Sequence, residues 1–98
     1  MIARTWHGAV PAEKADAYHS YLKQTGVRDC EDTPGNRGVY VLRRVEGDTA
    51  HFLFLTLWES LDAIRTFAGD DIEVARYYPE DESFLLELEP TVTHYEVL

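Results

Sequence analysis

Only one cysteine, Cys30, occurs among the 98 residues. A single thiol makes no internal disulfide, and without a second cysteine no thiolate metal motif exists. Cys30 lies in the run Arg28-Asp29-Cys30-Glu31-Asp32, where neighbouring carboxylates disfavour a thiolate, so no nucleophilic role is expected of it. Basic residues are scarce: 9 Lys and Arg stand against 18 Asp and Glu, a net charge of −9. Such a surface repels phosphate backbones, and no basic stripe compensates, so nucleic acid is not an expected partner. An anionic membrane surface is disfavoured for the same reason. No run approaches the roughly 20 apolar residues of a membrane span. The first eight residues carry Arg4 and His7 and do not read as a signal peptide, so a cytoplasmic protein is expected.

Several chemical signatures are missing too. His7, His19, His51 and His94 are scattered, with no H-x-x-x-H or H-E-x-x-H spacing, so no metal site is read from them. Glycine-rich phosphate loops and G-x-S-x-G are absent, which argues against nucleotide binding by those routes and against serine hydrolysis.

What is present begins with 45% apolar residues, enough for one domain over residues 1–98 but a modest core at this size. Met1–His7 alternates as a strand, with Ile2, Arg4 and Trp6 on one face and His7 on the other; Gly8 is expected to end it. Pro11 and Glu13 suit a helix start. Ala15, Tyr18 and Leu22 recur at helical spacing, and Gly26 reads as the stop. The polar segment 29–36, with Pro34-Gly35, reads as a loop. A second strand over Gly38–Val45 turns at Glu46-Gly47-Asp48 into a third, Thr49–Trp58. The third strand is apolar on both faces: Phe52, Phe54 and Thr56 alternate with Leu53, Leu55 and Leu57. Ser60 is an N-cap, and Leu61, Ile64, Ala68, Ile72 and Ala75 form a helical stripe broken at Gly69. Asp70 and Glu73 form a box that could restart a helix, giving two short helices or one kinked one. Pro79 stops it, residues 79–82 are a charged loop, 84–88 is either a short helix or extended, and Thr91–Leu98 is a last strand.

The order strand, helix, strand, strand, helix, strand predicts an α+β fold of the ferredoxin-like βαββαβ type. Its four-stranded antiparallel sheet carries the helices on one face, with the first and third strands central. Those helices cover only one face of the third strand. The other would lie bare, so a second copy of the chain is expected to cover it as a homodimer.

Aromatic residues are abundant: two Trp, six Tyr and four Phe. Core packing accounts for Phe52 and Phe54. A first-strand Trp6 facing the helices, near Tyr77-Tyr78, would line a space between sheet and helices suited to a small planar aromatic ligand. Trp58, ending its strand beside a helix cap, reads as a structural plug.

The stretch Phe54-Leu55-Thr56-Leu57-Trp58-Glu59-Ser60-Leu61-Asp62-Ala63-Ile64, followed by Phe67-Ala68-Gly69-Asp70-Asp71, resembles the antibiotic biosynthesis monooxygenase-like family. The resemblance implies a dimeric α/β barrel with its ligand pocket between helices and sheet. It implies, for some members, oxidation of polyphenolic or anthrone-like substrates by O₂ without metal, flavin or haem. Other members degrade haem, using an Asn on the first strand and a Trp and a His after the third. Those positions align here with Trp6, Phe67 and Tyr77, so haem degradation is not expected, and no cofactor is assigned. On this reading Arg4, Trp6, Phe67 and Tyr77 bind substrate, and Tyr77, Tyr78 and His94 are the catalytic candidates. His7 is a second candidate base, although strand alternation sets it opposite Trp6. Two other readings stay open: a non-enzymatic small-molecule-binding dimer, and an isomerase or lyase on the same fold.

Overall fold

A computed structural model describes all 98 residues as an antiparallel four-stranded sheet with its helices on one face. Strand β1 (Ile2–Pro11) is followed by a 3₁₀ turn (Ala12–Lys14) and helix α1 (Ala15–Leu22). A π-helical stretch (Lys23–Val27) carries the chain into α2 (Arg28–Glu31). Strands β2 (Asn36–Glu46) and β3 (Thr49–Trp58) form a hairpin; then come α3 (Leu61–Ala68), the short α4 (Asp81–Phe84) and β4 (Thr93–Glu96). The strand order is β2-β3-β1-β4, so β1 and β3 are central as the βαββαβ reading expects.

The alternation of β3 sorts its side chains as read. Ala50, Phe52, Thr56 and Trp58 are buried beneath the helices, whereas Leu53 is 36% exposed on the opposite face. Ala15, Tyr18 and Leu22 on α1 close over Val10, Ala50 and Phe52, with Leu85 completing that cluster. A second cluster joins Trp58 and Ile64 to Cys30, with Phe54 and Phe67 packed around it. Trp58 is fully buried, and its indole N–H donates to Thr56 Oγ1 at 2.8 Å, a satisfied plug at the β3–α3 corner. Ser60 caps α3 by accepting the Ala63 N–H, and Gly69 ends it at φ +92°, where a side chain would be strained.

Several local expectations are corrected, among them the polar loops, since Arg28–Glu31 and Asp81–Phe84 are helical. Gly8 does not end β1, which runs on to Pro11; Gly8 instead gives room to Trp6, whose ring would lie 2.1 Å from a Cβ placed there. Pro11 is therefore the last residue of β1 rather than the first of a helix. Gly26 does not stop the first helix: it is buried against the Phe54 ring, and helical backbone continues to Glu31. Finally, no helix restarts after Gly69. The Ala75 N–H donates to Pro90 O, Val92 N–H to Glu73 O, and Val74 bridges to Thr91, so strand-like partners claim the groups a helix would have used.

Beyond the four residues that β4 pairs with, the free edge of β1 is met by the segment after α4. Leu86 N–H donates to Ala9 O at 2.9 Å. Leu86 is thereby tied to the edge of the sheet. No helix is long and apolar enough to cross a membrane.

Candidate functional site

Between the sheet and its helical layer lies a narrow, mostly apolar cavity of about 40 Å³. Its floor is the helix-facing side of β1 and β3: Arg4, Trp6, Phe54 and Thr56. These side chains converge because Arg4 opposes Thr56, and Trp6 opposes Phe54, in the antiparallel register. One wall is Tyr18, Leu22, Gly26 and Cys30 from the first helical layer. The other is Phe67 with Arg76, Tyr77 and Tyr78 from the irregular segment that follows α3. A volume of about 40 Å³ admits a few waters at most. An aromatic ligand enters only if a wall moves, and the wall without regular structure is the 69–80 segment.

Polar atoms in the walls are largely committed. Trp6 Nε1–H donates to the Tyr77 hydroxyl at 3.1 Å, and the two rings meet edge to face with centroids 6.1 Å apart. Tyr77 O–H in turn donates to the carbonyl of Glu89. Tyr78 O–H donates to Asp29 Oδ2 at 2.6 Å, a carboxylate that also receives Arg76 Nη2. Burial, reinforced for Tyr78 by the hydrogen bond to Asp29, raises both phenol pKa values. Both tyrosines therefore stay neutral, with protons already donated; toward a ligand each offers an oxygen lone pair. The Arg76 guanidinium lies between aromatic faces, 4.9 Å from the Phe67 centroid and 5.1 Å from that of Tyr78.

The remaining sequence candidates are dispersed. His94 does not line the cavity, although it opposes Arg4 on β4 and so leaves the sheet on the same side. Burial first, and the Arg4 charge second, lower its pKa, favouring neutral imidazole. His7 points to the opposite face, where its Nδ1 meets Glu89 Oε2 at 2.5 Å and its Nε2 meets His51 Nδ1 at 3.1 Å. It cannot serve as a base inside this cavity. Cys30 is in the core and not in a polar loop; burial pushes its thiol up to about 12, which keeps it inert.

Asp81 is the lining residue that the sequence hides. It sits in the charged run after Pro79, which reads as a solvated loop, yet it is only 4% exposed. Its Oδ2 accepts the Tyr78 N–H at 2.6 Å, its own N–H donates to Tyr78 O at 3.0 Å, and it lies beside Tyr18. Burial raises its pKa and makes it a better proton acceptor than an ordinary aspartate. Arg76 is likewise unmarked by any motif. No group of three or more His, Cys, Asp or Glu side chains is arranged to hold a metal ion.

No curated protein matches the chain by sequence. Among solved structures, an antibiotic biosynthesis monooxygenase candidate from Nitrosomonas europaea superposes with a TM-score of 0.70 at 13% identity, covering 100% of this chain and 99% of that one. The haem degrader MhuD from Mycobacterium tuberculosis, solved with two haems in its active site, gives a TM-score of 0.64 at 21% identity, covering 100% of this chain and 96% of that one. Likeness at these identities shows the shared fold. The sequence profile described as antibiotic biosynthesis monooxygenase matches residues 1–71, and the chain belongs to that family.

Proposed function

We propose that this protein is a cofactor-independent monooxygenase acting, as a homodimer, on a small polyphenolic or anthrone-like substrate in the cavity between sheet and helices. The observation that carries this reading is the aromatic lining of the cavity, with Trp6, Phe67, Tyr77 and Tyr78 around a buried carboxyl, Asp81. Flat rings favour a flat ligand, and the few polar atoms fix its orientation. Trp6 and Phe67 stack on substrate; Tyr77 and Tyr78 accept hydrogen bonds from its hydroxyls. Asp81 takes a proton from the ring system. The substrate anion then passes an electron to O₂, the radicals combine at carbon, and the peroxide loses water to leave a carbonyl. The net change is R₂CH₂ + O₂ → R₂C=O + H₂O. The chain's contribution is a base, hydrogen bonds and a dry enclosure.

The dimer rests on the uncovered side of the sheet. Tyr40, Leu42, Leu53 and Tyr95 are each more than a third exposed there, and a second sheet in a closed two-fold pair removes them from water.

Oxygen-electrode assays on a panel of anthrones and polyphenols test the activity. One O₂ consumed per carbonyl formed, lost in Asp81→Asn, is the expected result. Binding without O₂ uptake makes the protein a non-enzymatic binding module, and turnover under anaerobic conditions makes it an isomerase or lyase. A hemin titration runs alongside, since relatives of this fold bind haem. A shifted Soret band followed by its decay would replace the polyphenol reading with haem degradation.

A further inference from the structure

The chain has two buried side-chain polar atoms without a hydrogen-bond partner, Arg4 Nη1 and His94 Nε2. They belong to residues directly opposed in the β1–β4 ladder, so both side chains leave the sheet on the same side. Arg4 is 95% removed from solvent, being only 5% exposed, and it lines the aromatic cavity. Its Nη2 is held by the Val74 carbonyl at 3.2 Å, which fixes the head group and leaves Nη1 free. No carboxylate pairs with it, although the chain has 18 and every other arginine but Arg28 has one within 4 Å. The cavity lining inverts the charge balance of the whole chain: two arginines, Arg4 and Arg76, and one acid, Asp81.

A buried guanidinium keeps its charge, and leaving it unpaired is costly. The facing imidazole does not neutralise it. A negatively charged ligand oxygen at Nη1 would supply the partner that atom lacks.

We propose that Arg4 is the counter-charge for an oxyanion, carboxylate or ionised phenol, carried on the aromatic ligand of this cavity. This rests on the reading of the cavity as an aromatic-binding site and narrows its ligand to anions. For a substrate that ionises before meeting O₂, the same contact holds the anion that Asp81 helps to form. Arg4 is then a binding residue, and the selectivity it confers is for charge rather than for ring shape.

Paired probes of equal shape test this: 2-naphthoate against 2-naphthamide, with 2-naphthol followed from pH 7 to pH 10.5, by calorimetry on the full chain. The wild type is expected to bind naphthoate roughly tenfold or more tighter than the amide, as hydrogen bonds to charged groups predict. In Arg4→Met, which keeps the apolar stem, that preference falls to about one while amide binding persists. Naphthol binding that strengthens as the phenol ionises assigns the site to phenolates as well; naphthoate preference without it restricts the site to carboxylates. Equal binding of naphthoate and amide by the wild type overturns the anion inference and leaves the aromatic cavity intact. Failure of all three probes to bind overturns both readings. Arg4→Met is expected to fold, because it removes an unpaired buried charge; if it does not, the wild-type ratio still decides.

Discussion

The two sides of the sheet are built from the same strands and meet opposite fates. On the helix side, Val10, Ala50, Phe52 and Trp58 are at most 1% exposed. On the other side, Tyr40 and Tyr95 are more than half exposed, and Leu42 nearly so. Side-chain alternation makes both rows apolar, but the chain has helices for only one of them. The covered side spends part of its interior on a cavity with polar walls. The open side carries one polar cluster, His7, His51 and Glu89, at the end of β1 away from β4. One face is closed around a cavity and the other is left open to solvent.

The covered side depends most on Trp58, which is fully buried. Trp58→Ala empties a fully buried site and removes the indole hydrogen bond to Thr56 Oγ1. A loss of about 3–5 kcal/mol is expected, read by urea denaturation, a large fraction of the stability of a domain this size. On the open side the same chemistry should act on assembly and not on folding. Leu55→Glu is expected to convert dimer to monomer in native mass spectrometry with circular dichroism unchanged; a Leu55→Glu dimer would refute the proposed interface.

Gly8→Ala sharpens the picture within the closed side. A methyl there would fall 2.1 Å from the Trp6 ring, so the indole must swing and lose its bond to Tyr77. The expected cost is about 1–3 kcal/mol, with a larger effect on ligand affinity than a surface glycine substitution such as Gly47→Ala at an open turn. The smallest effect is electrostatic. The folded-state pKa of His94 lies below the ordinary 6.5, so the unfolded chain takes up its proton first as pH falls. Stability is full above about pH 6.5, declines below it, and levels once folded His94 is itself protonated. His94→Gln is expected to flatten this portion of the pH–stability profile below about pH 6.5, read by urea denaturation at a series of pH values.

Much of this was legible in the sequence because it is local. The alternation of β3, its bounds at Thr49 and Trp58, the turn at Gly47 and the Ser60 cap each depend on residues within a few positions. The meeting of Trp6 with Tyr77 was also anticipated, from strand phase and fold topology together. Tertiary structure alone decided the rest, and each case turns on a distant partner. Gly26 continues a helix because Phe54 packs on it. Residues 70–75 stay out of a helix because Pro90, Thr91 and Val92 take their backbone partners. Asp81 enters the cavity, and Arg4 is left there without a carboxylate, because burial and pairing are set by what the whole chain brings together. Short-range pattern carries the period of the backbone; it carries no record of which charges end up alone.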